Sequence, residues 1–162
     1  MKALMSMDTF KLLSSYGGTA AVREMQQKLN RKYEAYTGLN PCDGVYGRNT
    51  NKALIYALQA EEGLPTSIAN GNFGNTTKLC CPEIPYIRNS TAARRYPGTS
   101  SGSYYSASQI SSITELLQFA FLVNGFDVGE INGVFGPATQ QALRSFQKKM
   151  SIPQTGHPDK ST

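Results

Sequence analysis

Asp43-Gly44-Val45-Tyr46-Gly47-Arg48-Asn49-Thr50 decides how the chain is read, because its pattern returns at Asn70-Gly71-Asn72-Phe73-Gly74-Asn75-Thr76-Thr77 and at Asn132-Gly133-Val134-Phe135-Gly136-Pro137-Ala138-Thr139. The rule is Asp or Asn, Gly, any residue, an aromatic, Gly, two residues, Thr. Soon after each Thr comes a short apolar pair: Ala53-Leu54, Cys80-Cys81 and Ala142-Leu143. An Asx side chain bonds backbone two residues on, and Gly accepts positive φ without steric cost, so each copy predicts a reversal of the chain. The ring between the glycines is expected to plug the loop into a core. The second Gly is expected to let the backbone tuck against a neighbouring element. Polar residues ahead of the next helix should satisfy its first amides, and Pro137 suits a first helical turn. Recurrence at fixed internal offsets predicts stacked helical units rather than isolated turns.

Outward from these corners, apolar residues recur at helical spacing. Ala20 to Tyr36 carries the stripe Val22, Met25, Leu29, Tyr33 and Tyr36, with Arg23, Gln27, Lys28, Asn30 and Arg31 opposite. Thr50 to Glu62 continues from the first corner with Ala53, Leu54, Ala57 and Leu58 on one face, and Gly63-Leu64-Pro65 ends it. The helix after the second corner is short, because Pro82 follows Cys81. Ile110 to Val123 is the most apolar stretch; Ser112 and Glu115 offer it a capping box and Asn124-Gly125 a stop. Pro137 to Met150 turns Thr139, Ala142, Leu143, Phe146 and Met150 inward. A short helix is expected over Asp8 to Leu13. Residues 152–162 read as a turn and the opening of another helix, with Asp159 as its cap. The fold class is therefore all-α: two units of short helices, 8–81 and 106–162, joined by a Pro-, Tyr- and Ser-rich strap over 82–105. The second unit's last helix is cut off after Thr162, as expected of a fragment or of a chain whose end is disordered.

With 40% apolar and 17% charged residues, 162 residues read as a globular chain able to bury a core. No apolar run approaches the roughly 18 residues of a membrane span. Met1-Lys2-Ala3-Leu4-Met5 is followed by Ser6, Met7 and Asp8 instead of an apolar signal core, which leaves a cytoplasmic protein or a piece of a longer exported one. A net charge of +5 favours acidic partners such as nucleic acid or anionic walls without choosing among them. Cys42, Cys80 and Cys81 have no zinc spacing; Cys80 and Cys81 are expected to fill apolar slots of a short helix, and a link from Cys42 to either stays open. No metal or cofactor is expected.

The order helix, Asx-Gly-x-aromatic-Gly-x-x-Thr, Ala-Leu, a helix bearing Phe146-Gln147, then Ile152-Pro153-Gln154-Thr155-Gly156 resembles the helical peptidoglycan-binding domain attached to bacterial cell-wall hydrolases. The match is strongest from Ile113 to Thr162, and Ala20 to Pro65 is a second; there Ala57-Leu58 stands where the Phe-Gln pair is typical. The resemblance implies tandem binding units, a secreted, extracellular or wall-associated setting, and a neighbouring lytic or glycoside-hydrolase-like domain in a longer chain.

The leading expectation is a non-catalytic module that holds an enzyme on peptidoglycan. Polar and basic side chains after the corners are its candidate ligand-binding residues: Arg48, Asn49, Asn51, Lys52 and Tyr56 in the first unit, Gln140, Gln141 and Arg144 in the second. Catalysis is not expected, because the acids are dispersed and no Ser, Cys or His157 has a motif-level partner. The alternative is a basic helical nucleic-acid-binding or protein-interaction domain. A recognition helix would concentrate cations in its first half, whereas the helix at Thr50 has only Lys52 there and the one at Pro137 has none before Arg144.

Overall fold

The computed structural model describes residues 18–80, 105–158 and 162. Among them are five helices and no strand: α1 (Ala20–Thr37), α2 (Arg48–Glu61), α3 (Asn75–Cys80), α4 (Ala107–Val123) and α5 (Pro137–Lys149). The all-α expectation holds. The short helix over Asp8 to Leu13, nearly all of the strap, Cys81 and the Asp159 cap lie outside the described residues.

Each helix starts where local chemistry permits. Thr19 caps α1 by accepting a bond from the Val22 amide at 3.2 Å. Ser106 caps α4 through a reciprocal capping box with Gln109: the Ser106 hydroxyl accepts from the Gln109 amide, and the Gln109 side chain accepts from the Ser106 amide. The box expected at Ser112 and Glu115 is therefore about one and a half turns too late. Ser112 sits inside α4, donating to the Ser108 carbonyl at 2.9 Å, and Glu115 faces α1. The caps of α2 and α5 are Gly47 and Gly136, which supply no side-chain bond. The polar residues expected to satisfy those first amides do not do so.

One hydrophobic core runs through the described helices. Val22, Met25 and Leu29 of α1, Leu54, Ala57 and Leu58 of α2, Ile113, Leu117 and Phe121 of α4, and Leu143 and Phe146 of α5 belong to a single cluster. Phe121, Phe126 and Phe146 meet edge to face, with centroids 5.7 to 6.1 Å apart, at the α4–α5 end. Such ring pairs add to the burial of area alone. α2 is flanked by α1 and α4, so it buries Ile55, Gln59 and Glu61 in addition to the expected face. Glu62, which caps its C-terminus, is buried as well.

Polar contacts fasten the α1–α2 half to the α4–α5 half. Lys28 pairs with Glu115 across the halves at 2.6 Å, while Lys32 pairs with Glu61 of α2 inside the first half at 2.8 Å. Lys32 also meets the Ser112 hydroxyl, Gln109 donates to the Glu61 carbonyl at 3.1 Å, and the Tyr105 hydroxyl donates to the Cys80 carbonyl at 2.6 Å.

Candidate functional site

The three corners fold alike, and a fourth has the same build. In each, the first residue's side-chain oxygen accepts the amide two places on: Asp43 from Val45, Asn70 from Asn72, Asn132 from Val134, and Thr155 from His157, at 2.9 to 3.2 Å. The next residue is a glycine with φ between 67° and 77°, a left-handed turn that other residues adopt at a cost: Gly44, Gly71, Gly133 and Gly156. The fourth copy, Thr155-Gly156-His157-Pro158-Asp159-Lys160-Ser161-Thr162, escapes the sequence rule because Thr replaces Asx, Pro158 the ring and Asp159 the second Gly.

A buried glutamine from the preceding helix closes every corner: Gln26, Gln59, Gln118 and Gln147, each at most 2% exposed. Its carbonyl accepts from the corner glycine amide at 2.8 to 3.0 Å. Its amide group donates to the carbonyl of the residue after that glycine at 2.9 to 3.1 Å: Val45, Asn72, Val134 and His157. The same amide reaches the hydroxyl of the motif threonine at 2.9 to 3.2 Å: Thr50, Thr77, Thr139 and Thr162. One side chain thus satisfies a donor and an acceptor, both at least partly buried, of a loop that has no ladder of its own. Sequence reading noted Gln147 only as half of a Phe-Gln pair and missed the clamp, because these glutamines precede their glycines by 18, 12, 15 and 9 residues. Gln59 lies one place beyond Ala57-Leu58, so the apparent departure there is a one-residue offset.

The rings behave as expected: Tyr46 is buried, and Phe73 and Phe135 pack against the core. The second glycines do not. No atom lies within 4 Å of where a Cβ would stand at Gly47, Gly74 or Gly136. The close approach belongs to the first glycine: a Cβ on Gly133 would stand 2.7 Å from the Ser111 carbonyl oxygen.

The candidate ligand-binding residues separate into three environments. Arg48 and Asn49 are exposed and line a polar hollow of about 210 Å³ beside the first corner, with Asn40 and Asp43. The Gln26 amide and then the Val45 N–H hold the Asp43 carboxyl below its ordinary range, so this hollow keeps a carboxylate beside the Arg48 cation. Asn51 is half-buried and accepts from the Tyr46 hydroxyl at 2.8 Å, which fixes the corner ring. Lys52 stands 5.8 Å over the Tyr56 ring, and that ring covers Gly71. On α5, Gln140 is half-buried and Gln141 exposed, while the exposed Arg144 lays its guanidinium over Gly156. Tyr56 and Arg144 are equivalent, each standing three residues before its clamp glutamine.

Between α1 and α4 lies a second concavity, of about 350 Å³, which reaches down to Leu29, Leu116, Phe119 and Tyr33 and is edged by cations. Among the described residues no cluster of three or more His, Cys, Asp or Glu could hold a metal, and no helix is long and apolar enough to cross a membrane. Cys42 and Cys80 are free thiols. Cys80 fills an apolar slot as expected, its thiol pushed up to about 11 by burial and by Glu62.

Helices turned by glycine corners and closed by glutamine side chains make up the scaffold of both halves. Residues 113–162 match the family described as "Putative peptidoglycan binding domain", and residues 15–83 match that described as "FadG/YbfG, PGDB-like domain". The second half is thus similar to a peptidoglycan-binding family and the first to a PGDB-like one. It is similar to the uncharacterized protein YbfG of Bacillus subtilis (strain 168), 46% identical over 164 residues that cover 100% of this chain and 19% of that protein. The uncharacterized protein FadG of the same organism is 38% identical over 165 residues, covering 99% of this chain and 25% of that protein. The chain thus spans 19% and 25% of the lengths of these relatives. No solved structure matches.

Proposed function

We propose that the chain is a non-catalytic module that holds a wall-lytic or glycoside-hydrolase-like domain of a longer bacterial protein against peptidoglycan, outside the cell. Residues 8–81 and 106–162 act as its tandem units, with 82–105 between them. The observation that carries this reading is the family match over residues 113–162, the half that holds the third and fourth corners. The arrangement suits passive binding. The buried clamps leave Arg48, Asn49, Lys52, Gln141 and Arg144 outside on rigid supports, where polar and cationic groups meet the hydroxyls and carboxylates of a wall polymer without reordering the backbone.

Sedimentation with purified peptidoglycan tests it. The folded chain should pellet with the polymer at low salt, and the pair Arg48→Ala and Asn49→Ala should weaken retention several-fold with no change in melting. A folded chain that stays in the supernatant sinks the proposal. Release of reducing sugars or new amines from the polymer would show that the module is not passive.

A further inference from the structure

We infer that the groove between α1 and α4 takes a short acidic peptide, the peptide portion of the wall polymer; this rests on the wall-binding reading above. The groove's floor is apolar and already closed: Leu29 and Leu116 are 2% and 3% exposed. Its two rings offer no free face. Lys28 Nζ stands 5.7 Å over the centre of Phe119 and Lys32 Nζ 5.2 Å over Tyr33. A sugar ring, which binds by stacking on an open aromatic face and by hydroxyl bonds to neutral amides and hydroxyls, finds neither here. The one hydroxyl of the lining, that of Tyr33, is committed to Glu61 at 2.6 Å.

The rim instead suits carboxylates. Lys28 already holds Glu115, both about one-third exposed, and an ion pair so open to water is worth little and exchanges readily. Arg31, one turn beyond Lys28 and next to Lys32, is exposed and has no carboxylate partner among the described residues. Its guanidinium presents a planar fork matched to a carboxylate. Carboxylates on Arg31 and Lys28, spaced along the rim of a closed floor, describe an acidic peptide of a few residues, and about 350 Å³ accommodates one. Because α1 and α4 come from different halves, neither half makes this site alone.

The test is calorimetric titration of the full chain with the peptide released from purified peptidoglycan by an amidase, and separately with glycan strands stripped of peptide. The peptide should bind and the bare glycan should leave the groove unoccupied. Arg31→Ser should weaken peptide binding roughly fivefold with melting unchanged, since that side chain is exposed. Glu115→Gln removes the internal competitor for Lys28 and should tighten binding. A chain that gives no heat with the peptide, or variants that titrate like the parent, overturns the inference. Pelleting with whole peptidoglycan, run in parallel, separates the failures: retention without peptide binding removes the groove alone, and loss of both removes the wall-binding reading.

Discussion

At the scale of the residue, the fold rests on four glutamines that no composition rule singles out. Replacing Gln118 by Leu keeps the volume and strands the Gly133 amide and the Val134 carbonyl in a partly buried place. An unmade buried hydrogen bond costs about 1 to 3 kcal/mol per group. The expected loss is about 2 to 4 kcal/mol, or a fall in melting temperature of roughly 5 to 15 °C for a chain of this size; thermal unfolding by circular dichroism reads it directly. The corner residues were legible because Asx-Gly-x-aromatic-Gly-x-x-Thr sits at fixed offsets. Their clamps were not, because a contact between two elements carries no fixed separation along the chain.

Glu62 shows the opposite economy. Its carboxyl is fully buried, and among the described residues neither oxygen has a hydrogen-bond partner. Burial therefore pushes its pKa well above the ordinary 4.5. The folded state binds this proton where the unfolded chain has released it, so the contribution is fully present below about pH 4.5 and is lost as pH rises through the folded value. Stability measured by denaturant should fall between mildly acid and neutral pH in the parent. Glu62→Gln should flatten that dependence, and parallel curves for the two proteins would show that Glu62 does not titrate in this range.

At the scale of the element, helix existence followed from period and punctuation, while the starting points did not. The Ser112–Glu115 spacing looked like a cap because Ser-x-x-Glu is a local pattern, and Ser106-x-x-Gln109 fits the same rule one and a half turns earlier. Chain entry decides between them: Ser106 has extended backbone, with ψ at 161°, which only a residue outside the helix adopts. Ser106→Ala should cost about 1 kcal/mol in denaturant unfolding. Ser112→Ala tests a different thing, the Lys32 contact, and should instead loosen the tie between α1 and α4. The candidate surface was legible in part for the same reason. Arg48, Asn49 and Arg144 lie on exposed helix faces, whereas Asn51 faces the corner ring, a direction set by the Tyr46 side chain and not by its own spacing.

At the scale of the whole molecule, two amphipathic readings merge into one core. Each stripe looked sufficient for its own half, yet α2 is covered on both flanks, and the Lys28–Glu115 pair and the Lys32–Ser112 contact cross between the halves. Continuity of that core predicts a single cooperative unfolding transition, with calorimetric and van't Hoff enthalpies equal. Residues 105–162 prepared alone should bare Leu116 and Phe119, lose cooperativity and bind a hydrophobic dye. Two separate transitions for the full chain would show that the halves fold independently.

The Cys80 thiol, packed under Glu62 and bonded over by Tyr105 through its own carbonyl, makes the molecule its own tamper seal. A thiol near 11 leaves almost no thiolate at neutral pH, and alkylating reagents attack thiolates. Iodoacetamide should modify the half-exposed Cys42 at once and reach Cys80 only when α3 lifts away. The ratio of the two labelling rates therefore clocks the opening of that short helix in the native protein.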